Sequence, residues 1–387
     1  MKVLYDYQIF HYQQFGGISR YYANLLPALN STGEVTITLP LRWSANKEIA
    51  HVQPFFGHVD RTLPISQRFR FRGAKRIEKL FYSLFPSQDR ERMQQILITH
   101  ALESGTADIF HPTYFEDYYF SHIHNTPYVL TVYDMIHELF TSSLPLGERG
   151  ILEKKKRVAL HAKKIIAISE STKKDLCRIY GLDPRSVVVI PLANTLARAS
   201  GKEQTPFSIP LPDDYLLFVG ARSGYKNYSF FLQSAAPIFH QRPSLHLICT
   251  GPKFSNEEIH LHDKLGLSHK IHFVEAISDD TLIHLYSHAK TLVFPSLYEG
   301  FGLPILEAMY CGCPVIVSRT SSFPEVAGDA ALYIDPSRMN SIRTIINQLL
   351  MSEDLQRELR EKGIEREKCF SWQTVAKQTL DVYKSVV

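Results

Sequence analysis

Short apolar runs that end in small or polar residues recur from one end of this chain to the other, and they limit its fold more than any other feature. In the first half they are "KVLYDY", "VTITLPL", "DIFHP", "YVLTVYD", "KKIIAIS" and "SVVVIPL"; in the second, "YLLFVGA", "LHLICTG", "KIHFVEA", "TLVFPS", "PVIVS" and "ALYIDP". They are rich in β-branched residues and lack strict alternation, which suits strands buried on both faces of a parallel sheet. Helix-like segments such as Ser169 to Tyr180 and Thr281 to Ala289 lie between many of them. Strand alternating with helix predicts an α/β fold. At 387 residues the chain is too long for one average core, and two domains of about 150–200 residues are expected. The stretch Asn194 to Tyr215, rich in Pro, Ser and Gly and without periodicity, reads as the linker, giving domains 1–195 and 196–370. Ligands bind at the carboxyl ends of parallel strands, so a cleft between two such domains is the expected place for chemistry.

The composition excludes several classes. With 44% hydrophobic and 21% charged residues the chain can form packed cores. A net charge of +4 is far below the footprint of a dedicated nucleic-acid binder. Cys177, Cys249, Cys311, Cys313 and Cys369 are odd in number and form no framework. Cys311-Gly-Cys313 lacks a completing ligand set, so it reads as small residues packed between helix and strand. Reduced cysteines suit the cytoplasm. The opening "MKVLYDYQIF" is no signal peptide, and no run approaches the length of a membrane span. A soluble or peripheral protein is expected.

Several constellations could carry chemistry. In "FPSLYEGFGLPILEAMYCGCPVIV", Gly300, Phe301 and Gly302 join a strand to a helix whose first turn holds Pro304. Free N–H groups at that helix start attract anions and hydroxyl oxygens. Glu299 before the turn and Glu307 one turn inside suit hydroxyl recognition; equally, they cap and solvate a helix end. In "LLFVGARSGYKNYSFFL" a strand ends at Gly220, and Arg222 and Lys226 follow. Two cations there would neutralise a diphosphate, or belong to a solvated loop. In "FGGISRYYANLL", Gly17 opens a helix and lets backbone approach a phosphate, whereas Arg20 is equally a helix-surface charge. After the strand in "LTVYDMIHELF" come Tyr133, Asp134 and His137, with Asp134 the better candidate for a functional group and His137 either functional or packed. There is no D-x-D triplet, and His122-x-His124 and His260-x-His262 read as surface histidines, so no metal site is expected.

The run "VFPSLYEGFGLPILEAMYCGCPVIVS" followed by "SSFPEVAGDAALYIDP" closely resembles the donor-site signature of glycosyltransferase family 4, retaining enzymes that use nucleotide sugars. The resemblance covers the C-terminal half and, more weakly, the N-terminal half. It implies the GT-B fold: two Rossmann-like, doubly wound domains facing a deep interdomain cleft, an N-terminal acceptor domain and a C-terminal donor domain. It also implies a final helix, about 371–387, packed back on the first domain. By this resemblance Glu299 contacts the transferred sugar and Glu307 the ribose, and the backbone of Gly300, Phe301, Gly302 and Leu303 supports sugar and diphosphate. Gly220, Arg222 and Lys226 take the leaving diphosphate, and Gly17 meets the donor from the opposite domain. Glu299, Asp134, Arg222 and Lys226 are then the catalytic set, with Asp134 (the better candidate), Tyr133 and His137 on the sugar or acceptor side. Many relatives have a histidine where this chain has Tyr133, so whether His137 replaces it stays open.

The implied reaction transfers a hexose with retention of configuration, independent of metal and cofactor. The variants "TVYDMIHE" and "GYKN" resemble bacterial polysaccharide and O-antigen mannosyltransferases, which implies GDP-mannose as first donor, with UDP-, dTDP- or ADP-sugars as the others. The acceptor would be a growing, lipid-linked glycan of the lipopolysaccharide kind. An epimerase or phosphorylase on the same fold, or a silent nucleotide- or glycan-binding protein, are the alternatives. Finally, Arg61 to Phe85 interleaves Arg68, Arg70, Arg72, Lys75, Arg76 and Lys79 with aromatic residues. This reads either as a contact with the anionic inner face of the cytoplasmic membrane or as a solvated helix packed by its apolar side.

Overall fold

The structure, a computed structural model, describes residues 1–42, 44–56, 87–141, 149–196, 211–222, 224–275 and 278–387. The basic segment 61–85 and most of the linker, 197–210, lie outside the described residues. Every apolar run quoted above forms a strand. In order they are β1 (Lys2–Tyr5), β2 (Thr36–Thr38), β3 (Ile109–His111), β4 (Val129–Val132), β5 (Lys164–Ala167) and β6 (Val187–Val189). Then come β7 (Asp214–Val219), β8 (Leu245–Thr250), β9 (Ile271–Phe273), β10 (Thr291–Phe294), β11 (Val315–Ser318) and β12 (Leu332–Ile334). The pairings among these strands are parallel, and β4, β10 and β11 are buried throughout, as unalternating apolar runs require. The chain divides into two compact units: Met1–Leu192 with Trp372–Val387, and Ala193–Ser371.

In the first unit the strands run β2-β1-β3 and β4-β5-β6, joined by a parallel bridge from Phe110 to Tyr128. The C-terminal helix Trp372–Lys384 packs against the helix Gly17–Asn30 and buries Val375, Ala376, Leu380 and Tyr383. Its Tyr383 hydroxyl lies 2.5 Å from that of Tyr5 and 2.6 Å from His111 Nδ1, and His111 Nε2 lies 2.9 Å from Thr131 Oγ1. Burial pushes the His111 pKa down to about 3, so the imidazole stays neutral in this chain of bonds.

Asp6, just past β1, is fully buried. It accepts hydrogen bonds from Thr113 N (2.8 Å), Thr113 Oγ1 (2.6 Å), Gln8 Nε2 (2.5 Å) and Tyr118 OH (3.3 Å). Burial pushes its pKa up to about 6, and the bonds from Thr113 and Gln8 pull the other way without offsetting it. A carboxyl whose folded pKa exceeds its unfolded one holds more protons when folded, so its contribution to stability is complete below the unfolded value, 3.8, and is lost as pH rises through about 6. As pH rises across that window, the wild-type first unit should therefore lose stability relative to Asp6→Asn. Urea unfolding at pH 4 and pH 7 measures this, and a pH-independent difference between the two proteins counts against it.

The second unit is one six-stranded sheet in the order β9-β8-β7-β10-β11-β12. Strand order reverses between β7 and β10, and a doubly wound sheet opens its ligand crevice at such a switch point. The loops leaving these strands, Gly220–Asn227 and Pro295–Gly302, carry the residues singled out from the sequence. Gly220 and Gly251 close β7 and β8 with φ of 108° and 118°. A Cβ on Gly251 would come within 2.4 Å of the Gly220 carbonyl oxygen, so only glycine fits there. Between sheet and helices Phe218, Tyr228, Phe231, Leu247, Val293, Ile316 and Ile346 form the core.

Candidate functional site

Lys226 and Glu299, 73 residues apart in sequence, meet at the switch point. Lys226 Nζ donates to Glu299 Oε1 at 2.5 Å, and Ser296 Oγ donates to the same oxygen at 2.9 Å. Both side chains are mostly buried, 15% and 11% exposed, which weakens water's screening of the pair. Below them the helix Leu303–Tyr310 begins at Gly302, whose φ of 100° sets the entry angle, with Pro304 in its first turn and no side chain capping it. Glu307, on the next turn of that helix, is buried and accepts from Tyr286 OH (2.9 Å) and Thr195 Oγ1 (3.3 Å).

Arg222 departs from the expectation of a cation facing an open crevice. Its side chain is 2% exposed, and its guanidinium lies 4.7 Å above the Phe254 ring. Nε donates to Glu258 Oε1 at 2.8 Å, and Nη2 donates to the Pro252 carbonyl. The physical reason is local. Ser255 and Glu258 form a capping box that starts the helix Asn256–Lys264, which fixes a carboxylate beside Arg222. His262 departs as well: it is buried on that helix, 2.9 Å from Tyr228 OH and edge-on to Phe254 at 4.8 Å, not on the surface. Cys313 is buried, and burial pushes its thiol up to about 12, so it behaves as a small apolar residue.

In the first unit Gly17 opens the helix Gly17–Asn30, and its neighbour Gly16 is extended, with φ 173°. The Gln13 carboxamide already accepts the Ser19 N–H at 3.2 Å, one of the donors at that helix start. Arg20 is buried beside Glu48 (3.8 Å), not a surface charge. Asp134, half-buried after β4, accepts the Ile136 N–H at 2.9 Å and so starts the short helix Ile136–Leu139, which carries half-buried His137. Tyr133 does not reach an acceptor surface within this unit: it is 6% exposed and packs edge-on to Tyr21, with ring centres 5.7 Å apart. It follows β4 into the unit's aromatic core.

Two sets of supporting residues escaped the sequence reading. Lys155 and Glu138 form a buried ion pair at 3.0 Å, Tyr180 donates to the same carboxylate, and Lys155 Nζ donates to the Asp134 carbonyl at 2.7 Å. Ser321 and Ser322, after β11, bond the backbone around Glu299. Tyr286 was readable only as a core aromatic of the helix Asp279–His288, although a buried tyrosine hydroxyl usually finds a partner.

Two family descriptions cover most of the chain: Glycosyltransferase Family 4 matches residues 15–194 and Glycosyl transferases group 1 matches residues 201–366. Among characterised relatives, O-antigen chain mannosyltransferase B of Escherichia coli is 32% identical over 58% of this chain and 61% of its own length. The MMP alpha-(1->4)-mannosyltransferase of Mycolicibacterium hassiacum is 29% identical over 63% of this chain and 59% of its own. The chain thus spans about three fifths of these two relatives. Sucrose-phosphate synthase from Thermosynechococcus elongatus has the same fold at a TM-score of 0.71, with 20% identity, 100% of this chain and 98% of that one covered. Anabaena HepE, solved with UDP and glucose, superposes at 0.69 with 15% identity over 100% of both chains. With both halves matched and the parallel sheets in place, the chain belongs to the GT-B glycosyltransferases of family 4.

Proposed function

We propose that this protein transfers a hexose from a nucleotide sugar to a growing glycan with retention of configuration, GDP-mannose being the first donor. The observation that carries the reading is the Lys226–Glu299 pair at the switch point of the second unit, beside a helix start with no side-chain cap. The mannosyltransferases among the relatives support mannose as the sugar.

In the proposed reaction an acceptor hydroxyl oxygen forms a bond to the anomeric carbon. The bond from that carbon to the diphosphate breaks, and its electron pair leaves with the nucleoside diphosphate. The acceptor's proton passes to a phosphate oxygen of the donor on the same face. Negative charge grows on the leaving group, so fixed cations and N–H donors lower the barrier where that charge appears. Lys226 and the backbone N–H groups at the start of the helix Leu303–Tyr310 take this task. No metal or cofactor is invoked. Glu299 accepts hydrogen bonds from the sugar hydroxyls and orients the ring. Glu307 accepts from the ribose in place of its long contact with Thr195. Arg222 is held by Glu258 and the Pro252 carbonyl while its buried Nη1 has no partner among the described residues, so it braces the Gly220–Asn227 loop and keeps that donor for the diphosphate. Asp134 and His137 stand on the acceptor side. The acceptor is proposed to be lipid-linked, with the basic segment containing Arg68, Arg70 and Arg72 resting on an anionic membrane surface.

A thermal-shift screen against GDP, UDP, dTDP and ADP tests the donor site. Ligand at 100 times its Kd adds about 2.7 kcal/mol to the stability of the folded form it binds, a shift of several degrees. GDP is expected to give the largest shift. No shift with any of the four would remove the basis of this reading.

A further inference from the structure

We propose that Asn227, Ser321 and Ser322 are positioning residues that clamp the Pro295–Gly302 loop and so set the direction of the Glu299 carboxylate. The proposal rests on the glycosyltransferase reading for its consequence in catalysis, but its geometry stands alone.

Among the described residues, His124, Asn227 and Ser321 are the non-glycine residues with positive φ, at 43°, 60° and 54°. Two of the three flank the same loop from opposite sides. That conformation is disfavoured for an L side chain and costless for glycine, so keeping a side chain there needs a reason. Each supplies one that glycine cannot. Asn227 Nδ2 donates to the Pro295 carbonyl (3.2 Å) at one end of the loop and to the Pro336 carbonyl (2.8 Å) beyond β12. Ser321 Oγ accepts the Glu299 N–H at 3.2 Å and donates to the Glu299 carbonyl, so one hydroxyl grips both sides of that residue. Ser322 Oγ lies 3.0 Å from the Glu299 carbonyl and 2.8 Å from that of Phe301, sharing its proton between them. Leu297 N–H also donates to the Tyr225 carbonyl at 2.7 Å, which ties the loop to the strand–helix turn carrying Lys226. The Glu299 backbone is thereby fixed by Ser321 and Ser322, while its carboxylate is held by Lys226 and Ser296.

The test uses the full chain with Asn227→Gly, Ser321→Gly, Ser322→Ala, the double variant Ser321→Gly/Ser322→Ala, and Ser322→Thr. Glycine keeps the backbone angles, so folding is spared while the bonds are lost. A loosened reacting group costs about 10- to 100-fold in rate. The double variant should therefore lose about that much kcat while its Kd for GDP and its Tm stay level, and Ser322→Thr, which keeps the hydroxyl, should retain the rate. Amide exchange at residues 297–302 should rise in the double variant; this needs no substrate. Unchanged kcat, unchanged exchange, or loss of GDP binding and Tm in step with kcat overturns the proposal. A wild-type protein that transfers no sugar from any of the four donors sinks the functional reading instead, and the exchange result then decides the clamp by itself.

Discussion

Glu299→Ala is expected to lower glycosyl transfer by about 10²- to 10³-fold, the range seen when one preorganised polar group is removed from a reacting centre, with nucleoside diphosphate binding nearly unchanged. The separation follows from the geometry. Glu299 and Lys226 share a hydrogen bond of 2.5 Å, so removing the carboxylate frees the ammonium without moving the backbone, which other residues hold. A free Lys226 binds a diphosphate at least as well as a paired one. In the proposed reaction the sugar, by contrast, loses the acceptor for its hydroxyls. Glu299→Gln keeps the size and one acceptor but not the charge, and should fall between wild type and alanine. Initial rates with GDP-mannose, set against calorimetric titration of GDP, separate the two quantities. Equal loss of both, or retained transfer, would contradict a role on the sugar side.

That Lys226 and Glu299 meet was legible in the sequence only indirectly. The apolar runs were unambiguous as strands because parallel strands such as β4, β10 and β11, buried along their whole length, leave no alternation to misread. Once β7 and β10 are the strands on either side of the order reversal, the loops after them must adjoin. Tertiary partners of single polar residues were not legible. Arg222 and Glu258 are 36 positions apart, and neither local periodicity nor composition tells a cation that faces water from one laid on Phe254. His262 was misread for the same reason: its polar neighbours in sequence point outward, while the helix turns it towards Tyr228. Asn227 and Ser321 show a further limit. Positive φ is anticipated at glycine, and a serine in that region carries no signal until its backbone is seen.

Lys155→Met should cost the first unit about 3–5 kcal/mol, because breaking a buried pair from one side strands the other charge in the interior. The helix Arg149–His161 carries a run of three lysines, Lys154 to Lys156, of which Lys155 alone is buried. Its side chain is 1% exposed and that of Glu138 6%. Glu138 holds two donors, Lys155 Nζ and Tyr180 OH, and Lys155 also reaches the Asp134 carbonyl, so the pair ties two helices to the turn after β4. Methionine fills the volume of lysine and removes the charge, leaving Glu138 with Tyr180 alone. Replacing both partners, Lys155→Met with Glu138→Leu, should recover much of the loss, since no charge is then left unpaired. Trp372 lies on the last helix of the first unit, so urea unfolding followed by its fluorescence, in a Trp43→Phe background, reports on that unit. A cost below about 1 kcal/mol would place the pair with ordinary surface ion pairs. A double variant no more stable than Lys155→Met would show that the loss comes from packing and not from the stranded charge. Under the acceptor-side role proposed for Asp134, whose carbonyl Lys155 holds, the pair also bears on function. Weaker acceptor binding, read as a raised KM for acceptor at unchanged KM for donor, is then the catalytic signature of the same substitution.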